Sequence, residues 1–181
     1  MPIKINYKNS TLKKLSKNLV LFVDEKFNTT HLKKILSKSE FSYINDLLKI
    51  NDLNKNFLVF ELSSKKKIVL VSIKKNIKTS DIENLGAQLY ERINFGKNSE
   101  YFLNSDSIIH NNKSFLGHFL HGLKLKSYEF NKYKSKKDTR LLNINVVGNK
   151  IKSSLTNKLK FEALEEGTFY TRDLVSEPGN I

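Results

Sequence analysis

Three histidines lie close together in the sequence, and histidine is a common zinc ligand. His118 and His121 are three residues apart, a spacing that places both side chains on one face of a helix, and His110 precedes them. A zinc site would also need a third ligand and partners that orient the imidazoles, whereas the neighbouring residues are mainly apolar. The pattern favours packed or exposed histidines. No arrangement of Ser, Asp and His has the context of a catalytic motif either, so we predict no metal ligand and no catalytic residue in this chain.

A second group of residues has the chemistry of nucleic-acid binding. Aromatic residues alternate with polar ones after residue 127 and lead into a run of lysines, and three consecutive lysines separate two strand-like stretches. Aromatic rings can stack on bases and lysines can bind phosphates, but a solvated turn and a segment packed on a core give the same patterns. The candidate contacts are Lys65, Lys66, Lys67, Tyr128, Tyr133, Lys134, Lys136 and Lys137.

The charge of the chain is strongly positive and unevenly distributed. Of 181 residues, 32 are Lys or Arg and 18 are Asp or Glu, which gives a net charge of +14. Residues 151–181 hold four basic and five acidic residues, so the first 150 residues carry +15. Such a surface attracts polyanions, but the favoured explanation is a lysine-rich solvated surface with the composition that AT-rich genomes produce.

Several functional classes are excluded or disfavoured by composition. The chain has no cysteine, so it can form neither a disulfide nor a thiolate metal site. Gly117 and Gly122 lie within a predicted helix and lack the following Lys and Ser or Thr of a phosphate-binding loop. No apolar run approaches the roughly 20 residues of a membrane span, and the first ten residues lack the apolar core of a signal peptide. We expect a cytoplasmic protein without membrane contact.

The alternation of apolar and polar residues predicts an α/β fold. The strand-like stretches are residues 3–7, 19–23, 57–62, 68–73, 101–103 and 141–147, of which the third and fourth form a hairpin. The predicted helices run through Leu32–Leu36, Phe41–Leu48, Ile82–Ile93, Phe115–Leu125 and Leu155–Leu174. The first should be capped by Asn28, Thr29 or Thr30, and the third by a capping box from Ser80 to Glu83, with a stop near Gly96. This order predicts a three-layer mixed sheet with helices on both faces.

The last predicted helix carries one apolar stripe and then meets a turn. We name the residues that recur at steps of three and four the stripe: Leu155, Leu159, Ala163, Gly167, Tyr170 and Leu174. A helix ordinarily buries such a stripe, and Gly167 leaves room for a close neighbour. Pro178 cannot continue a helix and is followed by Gly179 and Asn180, so the helix should end near Ser176.

Two segments resemble motifs of the leucyl aminopeptidase (cytosol aminopeptidase) family. In that family a helix with an "EG…ARDL" pattern leads from the N-terminal domain into "NEPxN" and the catalytic domain. The matching residues here are Glu166, Gly167, Arg172, Asp173, Leu174, Glu177, Pro178 and Asn180, with Thr171 in place of Ala and Ser176 in place of Asn. Residues 122–134 are similar to the family's "GLxLRSYxFDxYK" segment, with Lys126 for Arg and Asn131 for Asp.

The resemblance implies a non-catalytic N-terminal α/β domain over residues 1–150, with a fold like that of macro domains. Residues 151–181 would then be the connecting helix and the start of the catalytic domain. The family removes N-terminal amino acids from peptides with two divalent metal ions, zinc or manganese, and assembles as a hexamer. Its metal ligands and its catalytic lysine and arginine belong to motifs that follow the turn, so we expect these 181 residues alone to be inactive and the matching residues to fix the junction.

Two alternatives remain at the level of sequence. One is a basic nucleic-acid-binding module, since some members of the family are similar in doubling as DNA-binding proteins. The other is a free-standing small domain whose last helix merely resembles the junction. The aminopeptidase interpretation predicts that the isolated chain exposes the stripe, because the catalytic domain would be its partner.

Overall fold

The structure, a computed structural model, describes residues 3–8, 17–64, 66–93, 100–109, 112–135, 141–151 and 157–177. The described strands are β1 (Ile3–Lys8), β2 (Asn18–Asp24), β3 (Phe57–Ser63), β4 (Lys66–Ile73), β5 (Glu100–Asn104) and β6 (Leu142–Val147). The described α-helices are α1 (Lys38–Ile50), α2 (Thr79–Ile93), α3 (Phe115–Lys126) and α4 (Lys158–Ser176). Two short 3-10 helices span Thr30–Lys34 and Ser105–Ser107.

The six strands form one mixed sheet in the order β1-β6-β5-β2-β4-β3. Strands β1, β6, β5, β2 and β4 are parallel to one another, whereas β3 lies at one edge and pairs antiparallel with β4. The hairpin predicted from two strand-like stretches is thus confirmed. Antiparallel strands can be joined by a short turn, whereas parallel neighbours need a crossover, and helices supply those crossovers here.

Strand β2 lies in the middle of the sheet and is covered on both faces, as its continuous apolar run predicts. Val20 and Phe22 face the core beneath α2 and α3, and the rings of Phe115 and Phe119 on α3 meet Phe22 edge-on with centroids 5.5 and 5.1 Å away. Alternate residues of β2 face a second core formed with α1 and the first 3-10 helix. The predicted three-layer α/β fold with helices on both faces is confirmed.

Helices α2 and α3 touch backbone to backbone at two glycines. A Cβ atom added to Gly86 would lie 1.9 Å from the carbonyl oxygen of Phe119, and one added to Gly122 would lie 1.9 Å from that of Glu83. No heavy-atom contact is tolerated at such distances, so only glycine permits this crossing. The close approach fixes α3, which carries the two histidines, against the rest of the domain.

Two helix starts differ from the sequence prediction. Helix α2 begins at Thr79, so Ser80 lies inside the first turn and the predicted capping box is wrong. A capping box does form on α1, where Ser37 Oγ accepts from the Glu40 amide at 3.3 Å and a Glu40 carboxylate oxygen accepts from the Ser37 amide at 3.0 Å. The same S-x-x-E pattern occurs at both places, and tertiary contacts decide which one is used.

The helix predicted after residue 28 is a short 3-10 helix, Thr30–Lys34. The Thr29 hydroxyl forms no cap and instead donates to Asn45 on α1 at 2.7 Å, while the Asn28 side chain accepts from the Thr30 amide at 3.0 Å. Gly96, the predicted stop of α2, lies outside the described residues.

Helix α4 ends at Ser176, as predicted, and Glu177 has the extended backbone (φ −74°, ψ 138°) typical of a residue before proline. Leu155, Pro178 and Asn180 lie outside the described residues. Within the part of the chain that the structure describes, no helix is both long and apolar enough to cross a membrane.

Candidate functional site between the final helix and α3

Helix α4 docks on the domain mainly through Phe161, which is 8% exposed. Its ring lies between the imidazoles of His118 and His121 on α3, with centroid distances of 5.0 and 4.9 Å. Gly117 makes room for this ring, because a Cβ there would lie 2.6 Å from Phe161 Cε2. An aromatic anchor thus holds the start of α4 against α3.

Each of the two histidines has a glutamate as its partner. His118 Nδ1 lies 2.8 Å from Glu83 Oε1 on α2, and His121 Nδ1 lies 3.0 Å from Glu165 Oε1 on α4. The second pair is well buried, with side chains 8% and 13% exposed. Among the residues that the structure describes, no three His, Asp or Glu side chains are grouped closely enough to hold a metal ion. His110 lies outside the described residues.

A cleft of about 400 Å³ opens beside this anchor, between β1, α3 and α4. Tyr7 of β1 faces it, and burial, with the negative charges of Glu165 and Glu162, raises the pKa of the Tyr7 hydroxyl to about 12. Burial also raises the pKa of the Glu165 carboxyl, an effect that the hydrogen bond from His121 opposes. The site therefore holds a neutral hydroxyl beside a partly buried carboxyl–imidazole pair.

The raised pKa of Tyr7 leads to a spectroscopic prediction. We expect the tyrosinate absorbance to include a component at about pH 12 that Tyr7→Phe abolishes, while Tyr43→Phe, which replaces an exposed tyrosine on α1, leaves it. Because the folded-state pKa exceeds the unfolded value of about 10, the stabilisation is complete below pH 10 and is lost as the pH rises to 12. Titration of every tyrosine near pH 10 would contradict the buried position of Tyr7.

The two segments that resemble the aminopeptidase motifs lie against each other. The Tyr128 hydroxyl donates to Asp173 Oδ1 at 2.7 Å, and Arg172 Nη1 donates to the carbonyl oxygen of Leu125 at 2.8 Å. The Arg172 guanidinium also lies 5.4 Å from the centre of the Tyr128 ring, and the rings of Tyr128 and Phe169 are 5.4 Å apart. The end of α3 and the second half of α4 are thereby linked through side chains of both motifs.

Of the other predicted junction residues, one forms an ion pair and three are exposed. Glu177 forms an ion pair with Lys132, which again joins the two motif segments. Glu166, Gly167 and Leu174 are exposed. Pro178 and Asn180 lie outside the described residues, so the turn at the end of the motif stays a prediction.

The stripe on α4 faces away from the domain. Leu159, Tyr170 and Leu174 are 81%, 66% and 55% exposed, and a Cβ at Gly167 would meet no atom of the described structure within 4 Å. The expectation that the isolated chain exposes the stripe is confirmed for its members from Leu159 onward. The docked face carries instead Phe161, Glu165 and Phe169, whose four-residue spacing was the missed signal in the sequence.

The predicted nucleic-acid contacts on the hairpin are engaged within the domain. Lys66 forms an ion pair with Glu40 in which the two side chains are only 15% and 21% exposed, so the prediction of a fully solvated lysine tip is wrong for this residue. Lys67 Nζ lies 2.6 Å from Glu61 Oε1 on the neighbouring strand. Lys65 lies outside the described residues.

The candidates after α3 are placed differently from one another. Tyr128 contacts Asp173, as described above, whereas Tyr133 and Lys134 are exposed. Lys136 and Lys137 lie outside the described residues. Nucleic-acid contact by either group of candidates stays a prediction.

Comparison with known proteins gives matches in structure and none in sequence. No sequence profile of a protein family matches the chain, and no curated protein matches it. A solved structure of a mutant tomato leucine aminopeptidase matches with a TM-score of 0.68 and 15% identity, over 99% of this chain and 39% of the tomato chain. Cytosol aminopeptidase from Coxiella burnetii matches with a TM-score of 0.59 and 14% identity, over 95% of this chain and 33% of its own.

A third solved structure has the same relation to the chain. The bottromycin maturation enzyme BotP in complex with Mn matches with a TM-score of 0.58 and 13% identity, over 91% of this chain and 32% of its own. At these identities the likeness establishes a shared fold. The chain spans about a third of the length of the solved chains that it matches.

Proposed function

We propose that this chain is the non-catalytic N-terminal domain, with the connecting helix, of a metal-dependent leucyl aminopeptidase that removes N-terminal amino acids from peptides. One observation carries the proposal: the fold matches nearly all of this chain to about a third of each aminopeptidase. The contacts between the two motif segments support it, because residues that resemble the family's junction lie together. In this proposal residues 1–150 form the domain, and residues 151–181 connect it to the catalytic part.

Catalysis belongs, in this proposal, to a part of the enzyme beyond these residues. A pair of divalent metal ions, zinc or manganese, would activate water and stabilise the oxyanion of the tetrahedral intermediate there. The glutamates closest to the histidines are each engaged in a histidine pair, and their task here is to dock helices. The domain's own contribution is to hold α4 in a fixed direction.

The two faces of α4 support a connecting role. One face is anchored to α3 by Phe161 and by the Arg172 and Asp173 hydrogen bonds. The opposite face presents the apolar stripe, and the open space at Gly167 would let a partner approach the helix backbone closely. The partner that we propose for the stripe is the catalytic domain of the same enzyme, and we extend the proposal to a cytoplasmic, hexameric parent.

The proposal predicts that peptidase activity requires the longer parent protein and that the stripe is buried against a partner only there. The purified 181-residue chain should not hydrolyse a leucine anilide with added Mn²⁺ or Zn²⁺, whereas the longer parent should. Tyr170→Asp should destabilise the parent and lower its activity, while Tyr43→Asp, an identical substitution of an exposed tyrosine on α1, should not. In the isolated chain both variants should change the free energy of unfolding by less than about 0.5 kcal/mol.

Either of two results would count against this proposal. Metal-dependent hydrolysis by the 181 residues alone would place the catalytic groups within them. Equal effects of Tyr170→Asp and Tyr43→Asp in the parent, measured by anilide hydrolysis and thermal denaturation, would show that the stripe has no partner there.

A further inference from the structure

We propose that the cleft between β1, α3 and α4 binds a free amino acid with an apolar side chain. At about 400 Å³, the cleft is within the size range of small-molecule sites, and its charged lining residues carry both signs. A zwitterion with an apolar body matches that combination. The inference depends on the cleft alone and is independent of the proposed aminopeptidase function.

The apolar part of the cleft comes from all three elements. Ile5 of β1, Leu120 of α3, and Phe161 and Phe169 of α4 line it. Phe161 is held in place by the imidazoles on either side of its ring, so this wall is largely preformed. A branched or aromatic side chain would bury its carbon atoms here, which favours binding by about 25 cal/mol for each Å² removed from water.

The acceptors for an ammonium group lie on α4. Glu165 and Glu166 give this side of the cleft its negative charge, since the third glutamate, Glu162, is paired with Lys158. His121, whose Nδ1 lies 3.0 Å from Glu165 Oε1, also lines the cleft and holds that carboxyl in place.

The donors for a carboxylate lie on β1 and α3. The Tyr7 hydroxyl has no hydrogen-bond partner in the described part of the chain, and like any tyrosine hydroxyl at neutral pH it is a protonated donor. Lys124 Nζ donates one hydrogen to the carbonyl oxygen of Ile3 at 3.2 Å, which leaves two for a ligand. Lys158, at the start of α4, also lines the cleft, but its Nζ already lies 3.4 Å from Glu162 Oε1. A hydroxyl and an ammonium group together suit a carboxylate.

The mixed charge also gives selectivity. Glu162 and Lys158 offset each other. A simple fatty acid would still bring its carboxylate near Glu165 and Glu166 without an ammonium group, and a simple amine would face Lys124 without a carboxylate. Only a ligand that carries both charges avoids a desolvated, unpaired charge on one side of the cleft. This reasoning selects an amino acid over either of its single-charge analogues.

The test is a titration of the full 181-residue chain with each of three probes, in which binding is monitored by the amide chemical shifts. The probes are L-leucine, 4-methylpentanoate, which lacks the amino group, and 3-methylbutylamine, which lacks the carboxylate. We expect saturable shifts with L-leucine, with a Kd below about 10 mM, confined to residues around the cleft, and at least about tenfold weaker binding of both analogues. No saturable shift, or equal binding of an analogue, would overturn the proposal.

Variants connect the binding to named side chains. Tyr7→Phe and Glu165→Gln should each weaken L-leucine binding by about tenfold, because each removes a hydrogen bond or charge that the ligand uses. Asp46→Asn, on α1 across the sheet, is the control and should bind as the unmodified chain does. Since Glu165→Gln could loosen α4, Tyr7→Phe, which retains the buried ring, decides the outcome: unchanged affinity in this variant would overturn the site.

Discussion

Gly122→Ala is expected to lower the free energy of unfolding by about 3 kcal/mol or more, the largest effect of any methyl addition proposed for this chain. The new Cβ would lie 1.9 Å from the Glu83 carbonyl oxygen, a backbone atom of α2 that cannot move without the helix. Helices α2 and α3 would have to separate along their shared core. Chemical denaturation followed by far-ultraviolet circular dichroism measures the loss.

Gly167→Ala is the matched control. Both glycines lie inside helices, so alanine gains about 0.5–1 kcal/mol of helix propensity at either position, and only Gly122 has a backbone neighbour. We therefore expect Gly167→Ala to stabilise the isolated chain by about that amount. Similar stability changes in the two variants would mean that α2 and α3 are not in backbone contact.

Phe161→Ala should release α4 from the domain and cost about 3 kcal/mol of local stability. The ring is 8% exposed and fills the space between His118 and His121 above Gly117, so its removal leaves a cavity that the rigid α3 backbone cannot close. Hydrogen exchange should show faster exchange for the amides of α4, while those of β2 and β4 keep their protection.

The control for this variant is Leu159→Ala on the same helix. Leu159 is 81% exposed, and its truncation should change stability by less than about 0.5 kcal/mol. If Leu159→Ala instead released α4, the stripe would be the docked face and the assignment of Phe161 as the anchor would be wrong. Uniform loss of protection across the sheet in Phe161→Ala would show that α4 and the domain unfold as one unit.

The sheet was predictable from the sequence because burial alone dictates its pattern. The continuous apolar run in β2 reflects coverage on both faces, and the hairpin between β3 and β4 follows from two such runs with a short polar turn. Apolar runs and polar turns can be recognised within a few consecutive residues. Their recognition does not require knowing which distant side chains will be in contact.

The docked face of α4 was not predictable in the same way. Its apolar stripe, with Leu159 and Tyr170, has the spacing of a buried face, yet the helix docks through Phe161 and Glu165. The Glu165 carboxyl is stable on a docked face because it forms a hydrogen bond with the His121 imidazole, 44 positions earlier in the chain. That pairing depends on tertiary structure, as does the choice of capping box on α1 in place of α2.

The pairing of β1 with β6 has a consequence for synthesis on the ribosome. Ile3 lies opposite Leu142 in the register, so the first strand of the chain stays without its neighbour until the last strand has been made. At about 5–20 residues per second, that wait is roughly 7 to 30 s. During it the nascent chain exposes an unpaired N-terminal strand to chaperones, and the cleft that contains Tyr7 is among the last parts of the domain to form.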